Sequence, residues 1–420
     1  MCTGNPKPKT IKRFDIPAYY RSTITGRIKE IRRLQDPRKQ DFSPSRLDFG
    51  PVSFSLARHF GFCYGVENAI EISYRALEEN PDKRVLLLSQ MIHNQEVNND
   101  LRQRGVQFIM DTDGTQFIPW EEINTEDIVI IPAFGTTLEV EHQLKQRGVQ
   151  VQQYNTTCPF VEKVWNRSEK LATSNYTIII HGKPRHEETR ATFSHSANHG
   201  HSVIVRDLEE AKRLGDYILG TKSKSEFYEE FAWRHSEGFD PARDLQRVGV
   251  VNQTTMLASE TQTIADYFRQ QMIDIYGQEN LKEHFADTRD TLCYATNDNQ
   301  EATYMLLETG ADLAVVVGGY NSSNTSHIVE LCERAFTTFF IDSEKEIKAK
   351  NEIHHFDIHR KEKIVSKDFI PPVDPVHIVV TSGASCPDTL VDSVILKILG
   401  YFPSAKSVYD VMHALESART

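Results

Sequence analysis

One pattern, used three times, most constrains the fold of this 420-residue chain: a turn, a cysteine, an amphipathic helix, an apolar strand and a polar loop. The cysteines are Cys63, Cys158 and Cys293, and no two of them form a CxxC pair. In the first unit, Gly61-Phe62-Cys63 precedes Val66, Ala69, Ile70, Ser73 and Leu77 at helical spacing. Asn80-Pro81 stops that helix, Val85 to Leu88 reads as a buried strand, and the loop with His93-Asn94 follows. A later strand, Ile128 to Ile131, ends in Phe134-Gly135-Thr136-Thr137.

The second unit opens at Thr156-Thr157-Cys158-Pro159, with proline at a first helical position, where its missing N–H costs nothing. Its helix shows Val161, Val164, Trp165 and Leu171; strand Thr177 to Ile180 leads to the loop His181 to Glu188. Strand Val248 to Val251 then ends in Asn252-Gln253-Thr254-Thr255. The third unit opens at Cys293-Tyr294-Ala295-Thr296, and Gly310 caps its helix. Strand Leu313 to Val317 runs into a loop containing Asn321-Ser322-Ser323-Asn324, and strand Ile378 to Val380 into Thr381-Ser382-Gly383-Ala384-Ser385. This is a repeat of fold and chemistry, not of residue identity.

Strands alternating with helices imply parallel sheets, whose ligands bind beyond the carboxyl ends of the strands. The expected fold class is therefore α/β: three similar parallel-sheet domains in a pseudo-threefold trefoil, with cysteines and polar loops facing one central cavity. The boundaries read as an N-terminal arm over 1–50, then domains over 51–157, 158–292 and 293–400, and a C-terminal tail over 401–420. Segments at about 216–247 and 345–375 break the pattern and read as surface insertions.

A net charge of −11 argues against nucleic acid as the main partner. No window reaches the length of apolar sequence a membrane span needs, so no membrane partner is expected. Six scattered cysteines suit a reducing compartment, and the cytoplasm is the expected setting rather than a plastid. The arm is locally basic, with Arg27, Lys29, Arg32, Arg33, Arg38 and Lys39 among its cations. Ile28, Ile31 and Leu34 at helical spacing predict a short amphipathic helix there. Asp15, Glu30 and Asp36 speak against a targeting peptide, so a surface arm is the expectation.

Three thiolates can hold zinc or an iron–sulfur cluster. Each cysteine sits near a helix start, where the dipole favours the thiolate. One buried cysteine would be unremarkable; three at the same point of a repeated unit point to a shared centre. Cys2, Cys332 and Cys386 lack that placement and read as structural. His93, His186, Thr254, Thr255, Ser322, Ser323, Asn324 and Ser385 supply groups that hydrogen-bond anions, and a diphosphate among them is physically reasonable. His186-Glu187-Glu188 places an imidazole and a carboxylate where they can relay a proton. A three-cysteine zinc enzyme and a non-catalytic iron–sulfur sensor remain alternatives at this point.

Taken together, these segments resemble the LytB/IspH family of 4-hydroxy-3-methylbut-2-enyl diphosphate reductases. The resemblance rests on Gly61-Phe62-Cys63-Tyr64-Gly65-Val66, Ile92-His93-Asn94, Thr157-Cys158-Pro159, His186-Glu187-Glu188, Gln253-Thr254-Thr255, Cys293-Tyr294-Ala295-Thr296, Asn321-Ser322-Ser323-Asn324 and Gly383-Ala384-Ser385, in family order over roughly residues 55–400. It implies a [4Fe–4S] cluster on Cys63, Cys158 and Cys293. It also implies removal of the substrate's allylic hydroxyl with two electrons and two protons, giving isopentenyl and dimethylallyl diphosphate at the end of the methylerythritol phosphate route. By the same resemblance Glu188 is the proton source and Thr254 bonds near the hydroxyl. His93, His186, Ser322, Asn324 and Ser385 bind the diphosphate, with Ser323 and Thr255 in support. A ferredoxin- or flavodoxin-like donor is implied, since no GxGxxG fingerprint is present. Ala133-Phe134-Gly135 departs from the Ala-His-Gly of many members and is similar to the plant and cyanobacterial branch. Phenylalanine cannot donate to phosphate; Lys183 or Arg185 is the expected compensation.

Overall fold

Strands of five residues buried at every position decide the architecture, because such strands need cover on both faces. A computed structural model of the chain describes residues 14–288, 291 and 293–417. The N-terminal part holds α1 (Thr25–Gln35), β1 (Ser45–Asp48) and β2 (Val52–Leu56). The first cysteine unit follows as α2 (Tyr64–Glu79), β3 (Val85–Leu87), α3 (Gln95–Gln103), β4 (Gln107–Phe108), β5 (Ile128–Ile130) and α4 (Leu138–Gln146). Its parallel sheet has the order β4-β3-β5.

The second unit comprises α5 (Pro159–Thr173), β6 (Thr177–His181), α6 (Glu187–Ala197), β7 (Ser202–Val205), α7 (Leu208–Ile218), α8 (Lys224–Glu230), α9 (Pro241–Asp244), β8 (Val248–Asn252), α10 (Ala258–Tyr276), α11 (Leu281–His284) and β9 (Phe285–Ala286). Its parallel order is β7-β6-β8-β9. The third comprises α12 (Tyr294–Leu307), β10 (Leu313–Val317), α13 (Ser323–Cys332), β11 (Thr337–Ile341), β12 (Ile347–Ala349), β13 (Glu352–Asp357), β14 (Glu362–Lys367), β15 (Val376–Ser382), α14 (Asp388–Leu399) and α15 (Val408–Ser417). Three α/β units around a common centre form the trefoil.

Four expectations change. Residues 51–56 do not begin the first domain: β2 pairs in parallel with β15, and β1 closes that edge antiparallel, giving the order β1-β2-β15-β10-β11. Val52, Phe54 and Leu56 are fully buried there, so the third core takes them from across the sequence. The arm is not confined to the surface. Helix α1 does form, and Ile24, Ile28 and Ile31 lie in the same core, whereas Leu34 is exposed. The tail carries α15, which buries Val411 and Met412.

The segment at 216–247 is likewise no surface addition. Phe227 stacks between Phe231 (centroids 5.3 Å apart) and Phe239 (5.1 Å), all three fully buried in the second core. Charged neighbours hid those rings, because the aromatic positions follow no single period. The 345–375 segment instead forms an antiparallel sheet, β12-β13-β14. Cys332 and Cys386 are fully buried, in keeping with a structural role; Cys2 lies outside the described residues. No helix among the described residues is long and apolar enough to cross a membrane.

If those rings are core, Phe227→Ala should lower stability to urea by about 3–5 kcal/mol. A loss below about 1 kcal/mol would return the segment to the surface.

Candidate active site

Each unit begins its first helix at its cysteine. Cys63, Cys158 and Cys293 are the N-cap residues of α2, α5 and α12, each with extended backbone and no side-chain capping bond. Ser, Thr, Asp or Asn is the usual choice there because its oxygen caps a free N–H. A thiol caps poorly and is left pointing ahead of the helix. The helix N–H groups still favour the thiolates: those of Gly65 and Val66 at Cys63, Phe160 at Cys158, and Thr296 and Ala295 at Cys293. Burial outweighs them. It pushes Cys63 and Cys158 up to about 12 and raises Cys293, reversing the net shift expected from the dipole alone.

The three thiols are within electrostatic reach of one another. Cys293 raises Cys63, and both Cys63 and Cys293 raise Cys158. Gly65 makes room for this approach: a Cβ there would stand 2.5 Å from Cys158 Sγ. Among the described residues no three of His, Cys, Asp and Glu converge tightly enough for a single metal ion. All three cysteines line one cavity, where three thiolates could hold a metal centre.

That cavity is walled by two strand ends from each sheet: His93 and Phe134, Glu188 with Thr254 and Thr255, and Ser322, Ser323 and Asn324 with Ser385. Every candidate residue lines it except His186, which stands behind His93. Sequence reasoning gave no part to Val66, Ile92, Val161 and Thr296, which also line it. Most of the expected polar loops turn out to be helix starts. Asn94, His186 and Ser322 are the N-caps of α3, α6 and α13, and each accepts a backbone N–H.

The bonds fix the two imidazoles. Glu188 N–H donates to His186 Nδ1 (3.2 Å), so the His186 proton sits on Nε2. That Nε2–H donates to His93 Nε2 (3.1 Å), leaving His93 with its proton on Nδ1. His93 Nδ1 is buried without a partner, as are Ser323 Oγ and Asn324 Nδ2. Three unpartnered donors on residues lining one cavity suit an anion. Burial pushes His93 down to about 3 and His186 well below its usual range, with the Lys183 charge adding to both. Both rings are therefore neutral. Arg185 is exposed, so of the two expected cations Lys183 is the one within reach.

Two ties between units and one within the third hold this arrangement. Ser385 Oγ donates to the His93 carbonyl (3.2 Å), Ala384 N–H to Asn324 Oδ1 (2.8 Å) and Cys63 N–H to the Ala384 carbonyl (3.2 Å). Gln253, which carried no role in the sequence, binds the turn before α6. Its Oε1 accepts from Lys183 N–H (3.1 Å) and Thr189 Oγ (3.0 Å), and its Nε2 donates to Thr255 Oγ (2.5 Å).

Glu188 is 1% exposed and accepts the Thr254 N–H at 2.5 Å. Burial raises its carboxyl to about 7 against the bond from Thr254, so it carries a proton near neutrality. A carboxylic acid beside three thiols and a nest of anion donors can protonate a leaving oxygen.

A LytB protein family model matches residues 54–399. The chain belongs to the LytB family. The 4-hydroxy-3-methylbut-2-enyl diphosphate reductase of Synechococcus sp. (strain CC9311) is 41% identical to it over 381 residues, 90% of this chain and 90% of that one. The enzyme of the same name from Synechococcus sp. (strain CC9605) is 42% identical over 356 residues, 84% of this chain and 87% of that one. Among solved structures, the E-1-hydroxy-2-methyl-but-2-enyl-4-diphosphate reductase from Plasmodium falciparum aligns with a TM-score of 0.61 at 19% identity, over 88% of this chain and 99% of that chain. At that identity the likeness is one of fold. This LytB chain thus has the trefoil read from its sequence.

Glu188 gives a signed pH effect. Its folded pKa near 7 lies above the ordinary 4.5, so the folded chain keeps a proton that the unfolded chain has lost. Stability from this group is full below the unfolded value and is lost as pH rises towards 7. In metal-free protein, the urea midpoint should fall more steeply between pH 5 and 8 for wild type than for Glu188→Gln. Parallel profiles would mean that the carboxyl titrates as an exposed group.

Proposed function

We propose that this LytB-family chain is an iron–sulfur 4-hydroxy-3-methylbut-2-enyl diphosphate reductase. It would convert an allylic alcohol, with two electrons and two protons, into water and isopentenyl or dimethylallyl diphosphate. The observation that carries the reading is one cavity lined by three N-cap thiols, unpartnered anion donors and a buried carboxyl raised to about 7. Relatives of that name, matched over most of both chains, support it.

Cys63, Cys158 and Cys293 would hold a [4Fe–4S] cluster, which when bound supplies electrons singly and a Lewis-acidic iron free of protein ligands. The residues themselves do the rest. His93 Nδ1–H, Ser323 Oγ and Asn324 Nδ2 would donate to the diphosphate, with Ser322, Ser385 and Thr255 completing that end. His186 would hold the His93 tautomer, and its own Nε2–H becomes a further donor if the ring turns from His93. Ile92, Ala133, Phe134 and Val161 would wall the isoprenoid carbons and exclude water. Glu188 would give its proton to the departing hydroxyl, while Thr254 holds the Glu188 carboxyl through its N–H and the substrate oxygen through its hydroxyl.

Electrons would come from a ferredoxin- or flavodoxin-like protein. The five described cysteines are free, which suits a reducing compartment, and we place the enzyme in the cytoplasm.

Anaerobically purified protein should be brown, with about four irons and four sulfides per chain. Cys158→Ser should lose that colour. A colourless protein with one zinc would sink the proposal. Glu188→Gln should keep cluster and substrate binding while turnover falls by about 100-fold or more; near-normal turnover would remove Glu188 from the proton-donor role.

A further inference from the structure

The family match begins at residue 54, yet residues before it surround the loop that carries Cys63. Lys29, on α1, ties the turn that leads into Cys63 to the start of α14. Its Nζ donates to the Phe60 carbonyl (2.7 Å) and to both Asp388 carboxylate oxygens (2.6 and 2.7 Å), and it lies 4.3 Å from the centroid of the Phe60 ring. Phe60 begins the turn into Cys63, and Asp388 opens α14 just beyond Ser385. Gly61, at φ +75°, fits this clamp: a Cβ there would stand 1.9 Å from Asp388 Oδ1.

Two aromatic contacts flank the cysteine. Phe14 meets Tyr64 edge-on at 4.9 Å, and Tyr20 meets Phe62 at 5.6 Å. The segment is anchored at both ends of this contact. Tyr19 OH donates to Asp100 on α3 (2.5 Å), and Phe14, Ile16 and Tyr20 are buried in the first core. Further along, the buried Asp392 on α14 accepts Ser22 Oγ and the N–H groups of Thr23, Ile24 and Thr25, at 2.6 to 3.1 Å.

We propose that Phe14–Gln35 is a strap that positions the Cys63 loop against the Ser385 loop, with Lys29 as its positioning residue. The proposal rests on the reading of Cys63 as a cluster ligand. The strap crosses from the first unit to the third and fixes the Cys63 loop relative to the neighbouring Ser385 loop. Without the clamp, the Cys63 turn keeps its backbone bond to Ala384 but loses the ion pair beside it, and opens more often.

The test uses full-length, metal-free, reduced protein and iodoacetamide, with labelling of each cysteine followed by mass spectrometry. Lys29→Met should raise the labelling rate of Cys63 severalfold and leave Cys158 and Cys293 unchanged, and Lys29→Arg should restore the slow rate. Phe14→Ala, which keeps the ion pair, should show the same selectivity and decides the matter if Lys29→Met does not fold. Unchanged Cys63 labelling, or an equal rise at all three cysteines, would overturn the strap. No cluster is needed for this readout, so it stands or falls apart from the reductase reading, which the iron and sulfide counts test.

Discussion

The site depends on where its helices begin. A parallel α/β unit sends each strand's carboxyl end into a helix N-terminus, so backbone N–H groups and the dipole face the same way. Three such units around one centre aim these positive ends into a single cavity. Cysteines at α2, α5 and α12, and His or Ser caps at α6 and α13, sit at those starts. The same field therefore favours thiolates at the cysteine caps and an anion at the His and Ser caps. Burial opposes both, which is why the thiols lie high and the imidazoles low. Charge enters this cavity only with a partner of the opposite sign, and an iron–sulfur centre is such a partner for three thiolates.

Neighbouring glutamates show how far one helical step separates two chemistries. Glu187 and Glu188 open α6, both buried, and burial lifts each to about 7. Glu188 faces the central cavity and the Thr254 N–H. Glu187 turns about a third of the way round the helix, accepts the Ser89 hydroxyl and borders a second cavity with Thr136 and Arg190. Equal titration does not give equal function; only Glu188 faces the thiols.

The strands and helices of the repeat were legible because long buried strands and amphipathic helices carry a period. Edge strands such as β4 and β7 were not read, being short or lacking alternation, and β2 could not be assigned because sheet partnership is decided by a strand more than 300 residues away. The candidate residues that meet in the cavity were legible as short polar runs at strand ends. Gly65, Gln253 and Lys29 were not given roles, since each matters only through what packs against it: a thiol, a turn, a carbonyl. His186 was read as a direct ligand; here its ring bonds His93, which lines the cavity.

Phe134 is where sequence and structure meet most closely. It cannot donate to phosphate, but it stacks on His93 at 4.3 Å and meets the edge of His186 at 5.5 Å. Stacking removes water from both imidazoles and fixes the plane in which His93 Nδ1–H points. A donor at that position would add one hydrogen bond and a polar group to be satisfied whenever the cavity holds no anion. An aromatic ring adds none, and instead keeps His93 neutral and oriented. The Lys183 charge bears on both imidazoles, while its own burial favours the uncharged form. At this position the chain thus carries a ring that orients an imidazole, with the Lys183 charge within electrostatic reach of it.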